Sequence, residues 1–155
     1  KEPLIGLFVD GTVLNSGDGS SWEQAFKTLS EAVKVSKGED IYVAAGTYKG
    51  KGNRLDLTDT SNIRFIGGYK KGELYKKDRT KLNDDEWAVL DGDNKDEVLV
   101  KIAGASKDIR FEGGFLFKDA TDGAIQIIGE ANKFIENISI TDSRFENNTS
   151  NTGGA

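Results

Sequence analysis

The stretch from Ser139 to Ala155 constrains the fold more than any other part of the chain. Ser139-Ile140-Thr141 alternates polar and apolar residues, Phe145-Glu146-Asn147-Asn148 follows, and a polar loop leads to Gly153-Gly154-Ala155. Alternation marks a half-buried strand, and Asn tolerates the left-handed backbone of a tight corner. A strand, a corner residue, a loop and a small-residue entry to the next strand predict one turn of a right-handed parallel β-helix. The Gly-Gly-Ala close predicts that the native polypeptide continues with further turns.

An internal echo points the same way. Ile63-Arg64-Phe65-Ile66-Gly67-Gly68-Tyr69 resembles Ile109-Arg110-Phe111-Glu112-Gly113-Gly114-Phe115, 46 residues on (109 − 63). That interval suits two coils of about 23 residues each, within the range of solenoid repeats. Short β-branched or aromatic runs bounded by Gly, Asp and Asn predict strands at 8–10, 41–44, 63–66, 88–90, 98–102, 109–111, 115–117, 124–128 and 138–140. Nineteen glycines against one proline suit a chain that turns often yet keeps donating backbone N–H groups. An antiparallel sandwich of the same strands competes, but two-residue hairpin turns, its best signal, are scarce.

One amphipathic helix is expected, over 22–36. Trp22, Ala25, Phe26, Leu29, Ala32 and Val33 recur at spacings of three and four, with Ser21 and Gln24 placed as a capping box. Such a helix would lie as a lid on the first coil, whose strand edges would otherwise meet water. The expected organisation is thus an N-terminal cap over 1–40, a short strand plus the helix, followed by parallel β-helix coils over 41–155.

Composition narrows the function. The net charge is −5, which argues against nucleic acid as a partner. The basic cluster Lys70, Lys71, Lys76, Lys77, Arg79 and Lys81 is interleaved with Glu73 and Asp78 and reads as a solvated loop. Cys, Met and His are absent, so no disulfide, thiol nucleophile or His-based zinc site exists. No apolar run approaches the ~20 residues of a membrane-spanning helix.

No catalytic constellation emerges. Asp91, Asp93 and Asp96 form the candidate metal site, a calcium loop with oxygens at near-alternate positions. Lys95 and Ile102 stand where an EF-hand needs ligands, which excludes that motif; a solvated Asp-Gly turn is the plainer reading. The second acidic run, Asn83-Asp84-Asp85-Glu86, faces no identifiable partner carboxylate across a cleft, as glycoside hydrolysis would need. Asn147, Asn148 and Asn151 read as corner residues. Tyr69 and Tyr75, in a Gly/Lys-rich stretch, are the candidates for an exposed carbohydrate-stacking platform. Asn137-Ile138-Ser139 and Asn147-Asn148-Thr149 match the glycosylation sequon, a short pattern that arises readily by chance.

Several segments carry a resemblance. Gly17-Asp18-Gly19-Ser20-Ser21-Trp22, Ile41-Tyr42-Val43-Ala44-Ala45-Gly46-Thr47-Tyr48, Phe65-Ile66-Gly67-Gly68-Tyr69, Asp78-Arg79 and Val89-Leu90-Asp91-Gly92-Asp93 lead to the closing Phe-x-x-Asn and Gly-Gly-Ala units. Together they resemble the bacterial secreted pectin-lyase-like β-helix proteins related to chlamydial polymorphic outer-membrane proteins. The resemblance implies a secreted or outer-membrane cell-surface protein, an adhesin or surface scaffold without enzymatic activity. Its partners would be a surface carbohydrate or protein, or the continuation of its own chain. The alternative it implies is a polysaccharide lyase or glycoside hydrolase whose catalytic coils lie beyond residue 155.

Overall fold

The computed structural model describes residues 2–79, 85–95 and 97–150. The strands are β1 (Gly6–Val9), β2 (Asp40–Ala44), β3 (Gly46–Tyr48), β4 (Leu55–Thr58), β5 (Ser61–Tyr69), β6 (Ala88–Asp91), β7 (Val100–Ala103), β8 (Lys107–Lys118), β9 (Ile125–Ile128) and β10 (Glu136–Glu146). Among the described residues the one α-helix, α1, spans Leu29–Val35. Seven strands form one sheet in the order β1-β2-β5-β8-β6-β3, with β10 also on β8, and β4-β7-β9 form a second. Each of these strand pairs is parallel.

This corrects the expected right-handed parallel β-helix with its N-terminal helical cap. The large sheet is instead a curled half-barrel, with the three-stranded sheet beside it. The physical cause lies in β8. The two strands expected at 109–111 and 115–117 are one bent 12-residue strand. Its first half pairs with β5, its second half with β6, and β10 runs along both. From β8 the path returns through β6 to β3, so the layer curls back instead of rising as a regular pile of coils. The echo is corrected too. Ile63, Arg64, Phe65 and Ile66 lie directly opposite Ile109, Arg110, Phe111 and Glu112. The 46-residue interval is therefore one excursion between neighbouring strands, not two coils.

Register stacks like on like, and the core follows from it. Ile41, Phe65, Phe111 and Ile140 form one column pointing inward. Tyr48, Leu90, Phe117 and Phe145 form another. The Phe65 and Phe111 rings stack at 4.7 Å, as do Phe117 and Phe145 at 4.9 Å, pairs worth about 0.5–1.5 kcal/mol each beyond area burial. Leu55, Leu57, Val100 and Ile102 of the second sheet complete this interior. A separate aromatic cluster of Phe8, Trp22, Tyr42 and Tyr69 packs with Ile66. Residues 2–4 and 73–76 are tied together beside it: Leu4 N–H donates to Leu74 O, Lys76 N–H to Glu2 O, and Trp22 Nε1–H to Glu73 O.

The helix is shorter than its apolar stripe. Trp22, Ala25, Phe26, Leu29 and Ala32 are all buried. But residues 20–28 run as turns and one parallel bridge, Val9 to Phe26, so their spacing serves two clusters instead of one helical face. Ser21 Oγ accepts from Gln24 N–H, closing a turn. The working cap is Thr28, whose N–H and hydroxyl both donate to the Glu31 carboxylate. Burial pushes that carboxyl up, but hydrogen bonds from Ser16 and Thr28 outweigh it and hold Glu31 below its ordinary range.

Candidate functional site

The outward side chains of the same strands build a polar groove across the large sheet. Parallel register sets Asp40 beside Arg64, Arg64 beside Arg110, and Arg110 beside Ser139. Neighbouring strands lie about 4.8 Å apart, so these four groups form a ladder across β2, β5, β8 and β10. A second ladder flanks it where the strands begin. Asn62, Asp108 and Asn137 all have positive φ, of 61°, 55° and 53°. Asx residues tolerate this left-handed backbone better than other side chains. Asn137 Nδ2–H donates to Asp108 Oδ1 at 3.0 Å. Gly38 begins the row because a Cβ there would stand 2.7 Å from Asn62 Nδ2.

Between the ladders lies a hollow of about 470 Å³ that includes Asp40, Asn62, Arg64, Asp108 and Arg110. A neighbouring one of about 410 Å³, lined by Arg110, Glu112, Asn137, Ile138 and Ser139, carries the groove onto β10. The two arginines differ sharply. Arg64 grips Asp40 in a fork, Nε to Oδ1 at 2.9 Å and Nη2 to Oδ2 at 2.7 Å, with Glu112 at 3.9 Å. The Asp40 hydrogen bonds raise its pKa against the opposing effect of burial. Arg110 is exposed and makes no side-chain hydrogen bond or ion pair among the described residues. The groove thus offers one guanidinium already neutralised and one open to a carboxylate or hydroxyl, beside amide and carboxylate acceptors. The repeated Ile-Arg-Phe was its signal in the sequence, since in-register repeats place both arginines on one outward column.

The sites expected from sequence fare differently. Tyr69 is 2% exposed within the aromatic cluster, so the expectation that it offers an open stacking face is corrected; Arg79 Cζ stands 5.5 Å from its ring centroid. Tyr75 is half-buried and bridges to Pro3. Asp91 is buried and Asp93 exposed. Lys49 Nζ lies 3.4 Å from Asp91 and 3.3 Å from Asp93, and Lys95 lies 3.5 Å from Asp93. These lysines, the Lys49 hydrogen bond foremost, hold the Asp93 carboxyl below its ordinary range. Asp96 lies outside the described residues. Among the described residues no three metal-ligating side chains converge.

Asn83 and Asp84 also lie outside the described residues, while Glu86 is buried and paired with Lys70. Part of the basic cluster is stitched into the fold. Lys71 reaches Asp10, Lys76 reaches Glu2, and Arg79 Nη1–H donates to Gly67 O at 2.9 Å; Lys81 is outside the described residues. The corner reading fits two of its three asparagines. Asn147 has φ 53°. Asn148 accepts from Ala120 N–H at 3.0 Å and donates to Phe117 O at 2.8 Å. Asn151 and the Gly-Gly-Ala close lie outside the described residues. No helix among the described residues is long and apolar enough to cross a membrane. Comparison of the chain with family models, with curated proteins and with solved structures returned no match.

Proposed function

We propose that this chain is a cell-surface recognition module, an adhesin or scaffold of an exported protein. It holds a surface carbohydrate or protein along the polar groove without turning it over. The observation that carries this reading is Arg110, an exposed guanidinium with no ion pair among the described residues, set in a row of hydrogen-bonding groups that crosses four strands. A charge-assisted hydrogen bond is worth about 1.5–3 kcal/mol. The short segments that resemble exported surface proteins support the location.

Binding to arrayed acidic and neutral glycans and to cell surfaces, with and without calcium, tests it. Arg110→Ala should weaken binding about 10-fold or more, with Arg110→Lys intermediate because it keeps charge but loses the fork. Binding that ignores Arg110, or chain cleavage of any polysaccharide by the wild type, overturns the proposal.

A further inference from the structure

Strand β8 carries its outward charges in a fixed order. Asp108, Arg110 and Glu112 alternate with the buried Ile109 and Phe111, so all three stand on the outward face. Successive outward positions of a parallel strand are about 6.6 Å apart. Read along the strand, the row is acid, base, acid. β8 is paired with β5 on one side and with β10 on the other, so this row belongs to the face of the sheet and not to an open edge.

The arrangement costs stability. Arg110 lies directly opposite Arg64, and like charges set opposite one another on paired strands destabilise a sheet. Arg64 is answered by Asp40. Arg110 is exposed and has no counter-ion among the described residues. Among those residues Asp108 receives the neutral amide of Asn137 and no cation. The cation facing Glu112 is Arg64, whose Nη1 is 3.9 Å away, at the limit of an ion pair. Three charges in a row are thus left for a ligand of the opposite pattern to complete.

We infer that the ligand of the groove is an extended polypeptide whose alternate side chains run base, acid, base along β8; this rests on the recognition reading above and narrows its ligand. An extended partner repeats its side chains at the same step of about 6.6 Å. Its acidic residue can therefore fork onto Arg110 while its two basic residues meet Asp108 and Glu112. Packed layers stand about 10 Å apart, a gap that arginine and glutamate side chains bridge by reaching toward each other. Two competing ligands fit less well. The groove sets three carboxylates, Asp40, Asp108 and Glu112, against two guanidiniums, so a polyanion meets net repulsion. No aromatic side chain is among the residues lining either hollow, so the apolar faces of sugar rings have nothing to stack on.

Fluorescence polarisation of the full chain with labelled peptides of equal length decides the matter. Threonine fills every second position, and the positions between read Lys-Glu-Lys, Thr-Glu-Thr or Glu-Glu-Glu. The wild type should bind the first about 10-fold or more tightly than the second, and the third most weakly. Asp108→Asn/Glu112→Gln keeps an acceptor for the Asn137 amide and should bind the first two equally. Arg110→Gln should bind none of them, and should melt no lower than the wild type because it relieves the opposition to Arg64. Arg110-dependent capture of a glycan, with no peptide bound, overturns the polypeptide assignment and leaves the recognition reading standing. Binding of nothing through Arg110 overturns both. Equal affinity of the wild type for the three peptides overturns the inference. So does a preference for the first that survives the double variant, or a lowered Tm for Arg110→Gln.

Discussion

Gly113 has φ +50°, and a Cβ built there would stand 2.1 Å from Arg79 Nη1. That guanidinium cannot simply swing away, because it donates to Gly67 O and lies over the Tyr69 ring. Gly113→Ala should therefore cost about 1–3 kcal/mol in urea unfolding, combining left-handed strain with displacement of Arg79. In an Arg79→Ala background the steric part disappears, and about 1 kcal/mol should remain. The double-mutant cycle separates the two. Asn148 is the counterpart at the other corner. Its side chain satisfies one backbone donor and one backbone acceptor of the chain leaving β8. Asn148→Ala should lower stability by about 1–2 kcal/mol, read as a shift in Tm. Its place as a corner residue was legible from Phe-x-x-Asn, whereas nothing in the sequence tied Arg79 to Gly113, 34 positions away (113 − 79).

At the level of elements, the segment before α1 shows how burial can be readable while conformation is not. The expected helix placed the right side chains in the core, yet only its last two turns are helical. Phe26 lies in a bridge with Val9, and its ring fills the space where a Gly19 side chain would stand. Phe26→Asp should thus destabilise by more than about 3 kcal/mol, because it empties a core site and buries a charge. Val35→Asp, on the half-exposed side of α1, should stay within about 0.5 kcal/mol. Thermal melts of the two variants side by side test the placement; equal losses would contradict it. Backbone pairing to β1 outweighs intrinsic helix preference here, since a short isolated helix is marginal in water.

Across the whole molecule, buried phenols set the alkaline limit. Burial raises the Tyr48 pKa, and the same cause pushes Tyr69 up to about 12, with Arg79 partly opposing it. Unfolded tyrosines ionise near pH 10. Above that pH the unfolded chain binds fewer protons than the folded one, so stability must fall as pH rises. It should be flat with respect to these groups below about pH 10. It should then drop by about 1.4 kcal/mol per pH unit for each such tyrosine up to its folded pKa. Phenolate absorbance that rises in step with loss of circular dichroism, instead of ahead of it, is the expected signature.

The sequence alone was enough to locate most strands, to mark Asn147 and Asn148 as corners, and to align Ile-Arg-Phe with its echo. Each of these depends on local chemistry: side-chain alternation, tolerance of positive φ, and like residues stacking on like. β3 and β4 escaped notice because Gly46–Tyr48 opens on a glycine and Leu55–Thr58 builds its alternation on leucine and aspartate instead of β-branched or aromatic residues. Only the tertiary structure decided that the two echoes are immediate neighbours and that one bent β8 joins two expected strands. It also decided that Tyr69 is core instead of surface. Those outcomes turn on which backbone edges meet across 46 residues, and pairing at that distance is settled by how the whole layer curls, which no local pattern encodes.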